Sequence, residues 1–284
     1  MSDLFSEIDE IIHPDTLAIY GVSRKGGLGN VLLQSFIDQE FPNIYIVNPR
    51  ITESNAEIMG IPVFTDLKSI GEPIDLVICS THPKFVRDIV VECGENGVKG
   101  VIIFSSGFGE KNEDGKKAEE ELLKIARKYQ MRLIGPNCMG FYCPSSKLSF
   151  FPSLPTQSGP VGFISQSGSI ANLMGFLAML KGIYFSKAIS YGNGIDLDYN
   201  DFLEYLGDDP DTKVIACYME GVKDGRRFIN LVKKIKKPII IWKVGITPSG
   251  KKAAQSHTGS LSGNNKLWDE IFNQYGVIRV NNLE

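Results

Sequence analysis

The feature that most narrows the fold is a repeated alternation of short, largely apolar runs with longer amphipathic segments. Runs at residues 17–22, 44–47, 74–79, 101–104 and 131–134 are strand-sized. Segments at 31–37, 85–93 and 113–129 between them carry helical spacing. Strands that are apolar on both faces belong inside a sheet covered on both sides, and a helix between two strands makes them parallel. Residues 135–160 interrupt the rhythm with serines and with Pro144, Pro152, Pro155 and Pro160, which reads as a connection between domains. The alternation then restarts, with strands at 161–165, 185–190, 214–219, 239–244 and 277–280 and helices at 169–180, 199–206, 226–235 and 266–275. Two α/β domains in tandem are expected, 1–135 and 136–284.

Several classes of function drop out. The longest apolar runs fall far short of the ~20 residues a membrane helix needs, so no membrane span is expected. The acidic start, Met1 to Glu7, does not read as a secretory signal. Five cysteines, an odd number with no Cys-x-x-Cys pair, and three histidines argue against a disulfide framework or a metal site and for a reducing cytoplasm. A net charge of −3 argues against nucleic acid but leaves room for a local basic pocket for phosphates.

Five loops are candidates for chemistry. Gly21-Val22-Ser23-Arg24-Lys25-Gly26-Gly27-Leu28-Gly29 follows the first strand and opens a helix, where backbone N–H groups meet a pyrophosphate. It is not Gly-x-Gly-x-x-Gly. The second strand ends in Asn48-Pro49-Arg50, with no carboxylate for an NAD ribose, so a phosphorylated ribose fits better than NAD. The bland alternative is a tight turn with Arg24 and Lys25 in solvent. Phe104-Ser105-Ser106-Gly107-Phe108-Gly109 lies at the end of the fourth strand, where open parallel sheets bind ligands, and is equally readable as a turn. Ser165-Gln166-Ser167-Gly168 is a helix start, hence either an anion site or an ordinary serine N-cap. Glu220 ends the run 214–219 and either orients an imidazole or is a solvated strand end. Ser256-His257-Thr258-Gly259-Ser260 is the sharpest: His257 has only small and hydroxyl neighbours and no apolar face to pack, which suits a nucleophile beside a bulky anion, the alternative being a surface loop histidine. His13 and His82 each precede a proline and read as turn residues.

Taken together these loops resemble the NDP-forming acyl-CoA synthetases, which include the α subunit of succinyl-CoA synthetase and the ADP-forming acetyl-CoA synthetases. Gly135-Pro136-Asn137-Cys138-Met139-Gly140, Gly159 to Gly168, Tyr218-Met219-Glu220-Gly221 with Asp224 to Phe228, and Ser256 to Leu261 occur in that family's order over nearly the whole chain. The resemblance implies a Rossmann-like CoA-binding domain followed by a flavodoxin-like one. It implies that His257 is phosphorylated and Glu220 holds its ring. It further implies that Asn137, Ser165, Ser167, Gly168 and Gly259 line a phosphate site. Gly21, Ser23, Arg24, Lys25, Gly26 and Arg50 would hold the CoA phosphates and ribose, with Phe104, Ser105 and Ser106 nearer the pantetheine arm. The implied reaction interconverts acyl-CoA, phosphate and ADP with a small carboxylic acid, CoA and ATP. No second glycine-rich, lysine-bearing segment or paired carboxylates for a Mg-nucleotide are visible, so ADP and Mg are expected on an ATP-grasp module in a partner chain or in a part outside this one. The end at Val280 to Glu284 fits either an α-type subunit or a piece of a longer chain, and an oligomer is expected. A CoA sensor without catalysis is the alternative, disfavoured because it needs neither His257 nor Glu220.

Overall fold

The computed structural model describes residues 3–245 and 265–282. The chain starts with helix α1 (Asp3–Ile12), whose Phe5, Ile8, Ile11 and Ile12 recur on one face and are buried. The first sheet then forms from β1 (Leu17–Tyr20), β2 (Ile44–Val47), the short hairpin β3 (Glu57–Ile58) and β4 (Ile61–Phe64), β5 (Leu76–Cys79), β6 (Gly100–Ile103) and β7 (Arg132–Ile134). Helices α2 (Leu28–Asp38), α3 (Val86–Glu95) and α4 (Glu113–Tyr129) cover it. The strand order is β3-β4-β2-β1-β5-β6-β7, parallel except for the β3–β4 hairpin. β1, β5 and β6 are buried at every position, as expected for strands covered on both faces. The order reverses between β1 and β5, and a crevice opens there beyond the strands' carboxyl ends.

The second sheet contains β8 (Gly140–Tyr142), β9 (Val161–Ser165), β10 (Phe185–Ser190), β11 (Val214–Met219), β12 (Ile239–Lys243) and β13 (Ile278–Val280). Around it lie α5 (Gly168–Leu180), α6 (Tyr199–Asp208), α7 (Gly225–Lys234) and α8 (Asn265–Tyr275). The order β13-β12-β11-β9-β10-β8 puts the switch point at β9, the flavodoxin-like arrangement. Parallel register aligns Ser190 and Tyr218 with Ser165, and Met219 with Lys243.

Two features lie outside the sequence rhythm. Residues 135–160 are more than a connection: β8 pairs antiparallel with β10 at the sheet edge, and Tyr142, Phe150 and Leu154 are buried. Their apolar side chains need a core even though the prolines after β8 interrupt regular structure. Helix α1 precedes the alternation and packs on α6 across the domain boundary. Phe5 stacks on Tyr205 at 5.0 Å between ring centroids, and Tyr205 donates to Asp9 at 2.8 Å. Fully burying each α1 isoleucine contributes roughly 1.5–3 kcal/mol. Arg132 of β7 completes the junction, pairing with Glu7 of α1 and with Asp196 of the second domain at 2.8 Å. Among the described residues no helix is long and apolar enough to cross a membrane.

Candidate functional site

The crevice at the first switch point holds a cavity of about 510 Å³ lined by Tyr20 to Ser23, Val47 to Arg50, Thr65, Ser80 to His82 and the face of α3. Of the expected CoA residues, Gly21, Ser23 and Arg50 lie in this wall. The loop comes close to its neighbour because residue 21 is glycine: a Cβ there would stand 2.1 Å from Ser80 O, at a φ of +103°. Asn48 Nδ2 donates to Val22 O at 2.9 Å, which ties the second strand's end to the glycine loop. Helix α2 starts without a side-chain cap; Asn30 N–H returns to Gly27 O at 3.1 Å, which leaves the Leu28 and Gly29 amides of the first turn for an anion.

Arg24, Lys25 and Gly26 form the exposed tip instead of the wall. Arg24 pairs with the exposed Glu53 at 2.8 Å and holds that carboxyl below its usual range, chiefly through the hydrogen bond between them. Exposed pairs are weak, so this one yields readily to a phosphate. Phe104, Ser105 and Ser106 are also outside the cavity wall. Ser105 is nevertheless joined to it, because its hydroxyl donates to Thr81 O at 2.5 Å.

Sequence reasoning missed the third side of the cavity. His82 does act as a turn residue, since its Nδ1 accepts from Lys84 N–H at 3.3 Å, but it also lines the cavity. Its place just beyond a strand end was the available signal. Tyr20 is 4% exposed, and its hydroxyl has no partner. Burial, with the nearby Glu92 carboxylate, pushes that phenol well above its usual range, so it stays neutral.

At the second switch point, the ends of β9, β10, β11 and β12 bring Ser165, Ser190, Glu220 and Lys243 to one edge. Neighbouring strands lie about 4.8 Å apart. Ser167 caps α5, its Oγ accepting from Ile170 N–H at 3.4 Å, and Ser165 Oγ donates to Ser167 O at 2.7 Å. These serines therefore do the capping work of the ordinary alternative, while the α5 N-terminus carries about half a positive charge towards the edge. Asn137 adopts a left-handed φ of 58°, and its N–H donates to Ser105 O at 3.0 Å. Met139 N–H donates to Ser190 Oγ at 3.1 Å, and a Cβ on Gly168 would stand 2.7 Å from Met139 Cγ. The 135–140 linker thus abuts the α5 start.

Glu220 is 3% exposed. Its backbone oxygen accepts from Lys243 Nζ at 2.8 Å, which clamps the end of β11 to β12. Burial first, then the Glu220 charge and hydrogen bond, push the Tyr218 hydroxyl above its usual range. The expected Asp224 to Phe228 segment is structural: Asp224 caps α7, and Arg227 pairs with Asp201 at 2.7 Å and Glu204 at 2.9 Å. His257 and Gly259 lie outside the described residues. Among the described residues no group of three His, Cys, Asp or Glu side chains could hold a metal ion. All five cysteines are buried free thiols. Burial pushes Cys138, in the linker, up to about 12.

Two family models match in tandem: a CoA binding domain at residues 15–144 and a succinyl-CoA ligase like flavodoxin domain at 158–284. The α subunit of ADP-forming acetate–CoA ligase II of Pyrococcus furiosus is 41% identical over 98% of this chain and 60% of its own length. ADP-forming acetate–CoA ligase of Methanocaldococcus jannaschii is 38% identical over 98% of this chain and 39% of its own. Among solved structures, an acetyl-coenzyme A synthetase of Candidatus Korarchaeum cryptofilum in complex with phosphate and ADP superposes with a TM-score of 0.88. It is 32% identical, covering 97% of this chain and 60% of that one. The chain spans about 60% of the length of the α-subunit relatives it matches.

Proposed function

This chain belongs to the NDP-forming acyl-CoA synthetases, and from that premise we propose that it is the CoA-binding and phosphohistidine-bearing part of an ADP-forming acyl-CoA synthetase. The observation that carries the reading is the second switch point. There a helix N-terminus, a strand-end glutamate and the linker joining it to the CoA domain share one edge.

CoA enters the first-domain cavity with its phosphates on the α2 start and Arg50. The pocket chemistry fits: a cation, free backbone N–H groups and the neutral Tyr20 hydroxyl meet phosphate and polar ring edges. At the second edge, phosphate attacks the thioester carbonyl of the acyl-CoA; the C–S bond breaks and CoA leaves as thiol. His257 then takes the phosphoryl group from the acyl phosphate and releases the carboxylate of a small acid. ADP takes it from phospho-His257 and leaves as ATP, and every step reverses. Asn137, Ser167, Gly168 and Gly259 surround the phosphate, and Glu220 accepts from one ring nitrogen of His257 so that the other presents its lone pair. Fixed dipoles at a helix start suit phosphoryl transfer, which needs positioning and charge stabilisation more than acid–base work.

ADP binds an ATP-grasp module supplied by a partner or by a further segment, and that module brings its own Mg. Helix α5 supports a protein partner: its 13 residues carry no charge, yet Leu173 is 42% and Leu180 is 77% exposed. The deciding experiment is incubation with acetyl-CoA and radiolabelled phosphate, followed by acid and base stability tests. An acid-labile, base-stable label that is absent in His257→Ala is expected. Label retained in His257→Ala, or label lost in base, overturns the assignment.

A further inference from the structure

The loop after β10 does more than join two elements. Asn193 N–H donates to Pro136 O at 2.9 Å and Ile195 N–H to Gly135 O at 3.1 Å, so residues 193–195 run beside the linker. The fit needs glycine at 192, where a Cβ would stand 2.3 Å from Pro136 O. From its other side, Asn193 Nδ2 donates to Glu110 Oε2 and to Glu119 Oε1, both at 2.6 Å. Both glutamates belong to the first domain, and both grip the loop at 104–109. Glu110 accepts from Gly107 and Phe108 N–H, and Glu119 from Gly109 N–H at 3.1 Å. Carboxylates only accept, so the amide must turn its NH₂ towards them. One residue therefore joins the 104–109 loop through its side chain to the linker carrying Asn137 through its backbone, at the end of β10.

We propose that Asn193 is a positioning residue that, through Glu110 and Glu119, locks the 104–109 loop of the first domain, which Ser105 ties to the CoA cavity, to the phosphate-site linker of the second. This rests on the functional reading above and deepens it. The attack of phosphate on the thioester needs its reacting atoms ~3–3.5 Å apart, and they are held by different domains. Without Asn193, two half-buried carboxylates would face one another with no shared donor, and the Gly107 to Gly109 amides would lose their fixed acceptors.

The electrostatics agree. Burial raises both carboxyls. For Glu110 the Gly107 amide and Asn193 more than offset burial and hold it below the usual range. For Glu119, Asn193 and the Gly109 amide do not offset burial, and with the Glu110 charge beside it this carboxyl sits above its usual range. The other charged groups facing the cluster are Lys223, whose Nζ donates to Gly194 O, Asp198 near Lys223, and Lys116 on α4.

The test is Asn193→Asp, read by hydrogen exchange at Gly107, Phe108 and Gly109 and by calorimetric CoA binding between about pH 5.5 and pH 8. At pH 8 three carboxylates would meet, so the three amides should exchange about tenfold faster and CoA should bind about tenfold more weakly than in wild type. With exchange expressed as protection, so that the intrinsic base catalysis of exchange cancels, both readouts should recover towards their wild-type values at about pH 5.5, where a proton restores a donor, while wild-type protection and affinity change far less. The double variant N193D/E119Q moves the amide to the other side of the same contact, and its new carboxamide oxygen can still accept from Gly109 N–H. It should recover both readouts at pH 8. Wild-type exchange and affinity in N193D at pH 8, or no recovery in the double variant, overturns the proposal. If N193D unfolds at pH 8, the double variant decides: folded with protected amides supports the lock, unfolded overturns it. Wild type that fails to bind CoA overturns the functional reading instead, and the exchange arm still judges the bridge.

Discussion

Lys187→Met tests the electrostatic centre of the second domain. Lys187 lies on β10 at 1% exposure, with Nζ 3.0 Å from both oxygens of Asp209, itself 2% exposed. Asp209 also accepts from Thr212 Oγ1 at 2.6 Å. With an effective dielectric of about 20, charges at this distance attract by roughly 5 kcal/mol, against a desolvation cost of similar size. Removing the lysine alone leaves that cost uncompensated, so the variant should lose about 3–5 kcal/mol. For a domain of this size that corresponds to a fall in Tm of roughly 6–20 °C, read by calorimetry at neutral pH. The pH dependence carries a sign. In wild type, burial raises the Asp209 carboxyl, but Thr212 and Lys187 more than offset it and hold the folded value below the unfolded one. Its stabilisation is therefore present above the unfolded pKa and fades as pH falls through the folded pKa. In the variant the folded value moves above the unfolded one, so the deficit shrinks as pH falls and the carboxyl takes a proton. Lys187→Met/Asp209→Asn should recover most of the loss at neutral pH. A single variant melting within about 2 °C of wild type, or a double variant no better than the single, would refute the reasoning.

Arg50→Ala should weaken CoA binding roughly tenfold or more in calorimetry, more steeply at low salt, because Arg50 lines the cavity and a charge-assisted contact is lost. Arg24→Ala should cost less than about threefold, since Arg24 stands at the exposed tip beside Glu53; the reverse ranking would remove the CoA phosphates from the cavity wall. Asp75 accepts from Asp15 and Thr16 N–H and pairs with Lys99 at 3.2 Å. Burial raises its carboxyl, but Lys99 and these amides hold it below the usual range. Asp75→Asn should therefore lose about 1–2 kcal/mol at neutral pH in denaturant melts, and the gap should close as pH falls below about 4; a gap constant with pH would contradict this.

The parts of this protein that follow from local rules were legible in the sequence. A strand covered on both faces must be apolar over four to six neighbouring residues, so β1, β5, β9 and β11 announce themselves, and so does the glycine loop that ends β1. Loops at strand ends follow from the same alternation, which is why the sequence already places Arg50, Ser167 and Glu220 next to strand ends. What the sequence left open depends on contacts across long separations. Asn193 and Glu110 are 83 residues apart and Tyr205 and Asp9 are 196 apart. Neither asparagine nor glutamate carries a local pattern that says which amide meets which carboxylate. Likewise Arg24 and Arg50 are equally basic in the sequence, and only the docking of the glycine loop on Ser80 and of Asn48 on Val22 puts one in the wall and the other in solvent. The sequence alone determined the alternating strands and helices of the two sheets, because each is set by burial and backbone geometry within a few residues, but not α1, the β3–β4 hairpin or β8, which take their place from packing against distant elements. The tertiary structure decided which loops share a site and how the two domains hold one another, because that requires knowing which strand ends come to lie side by side.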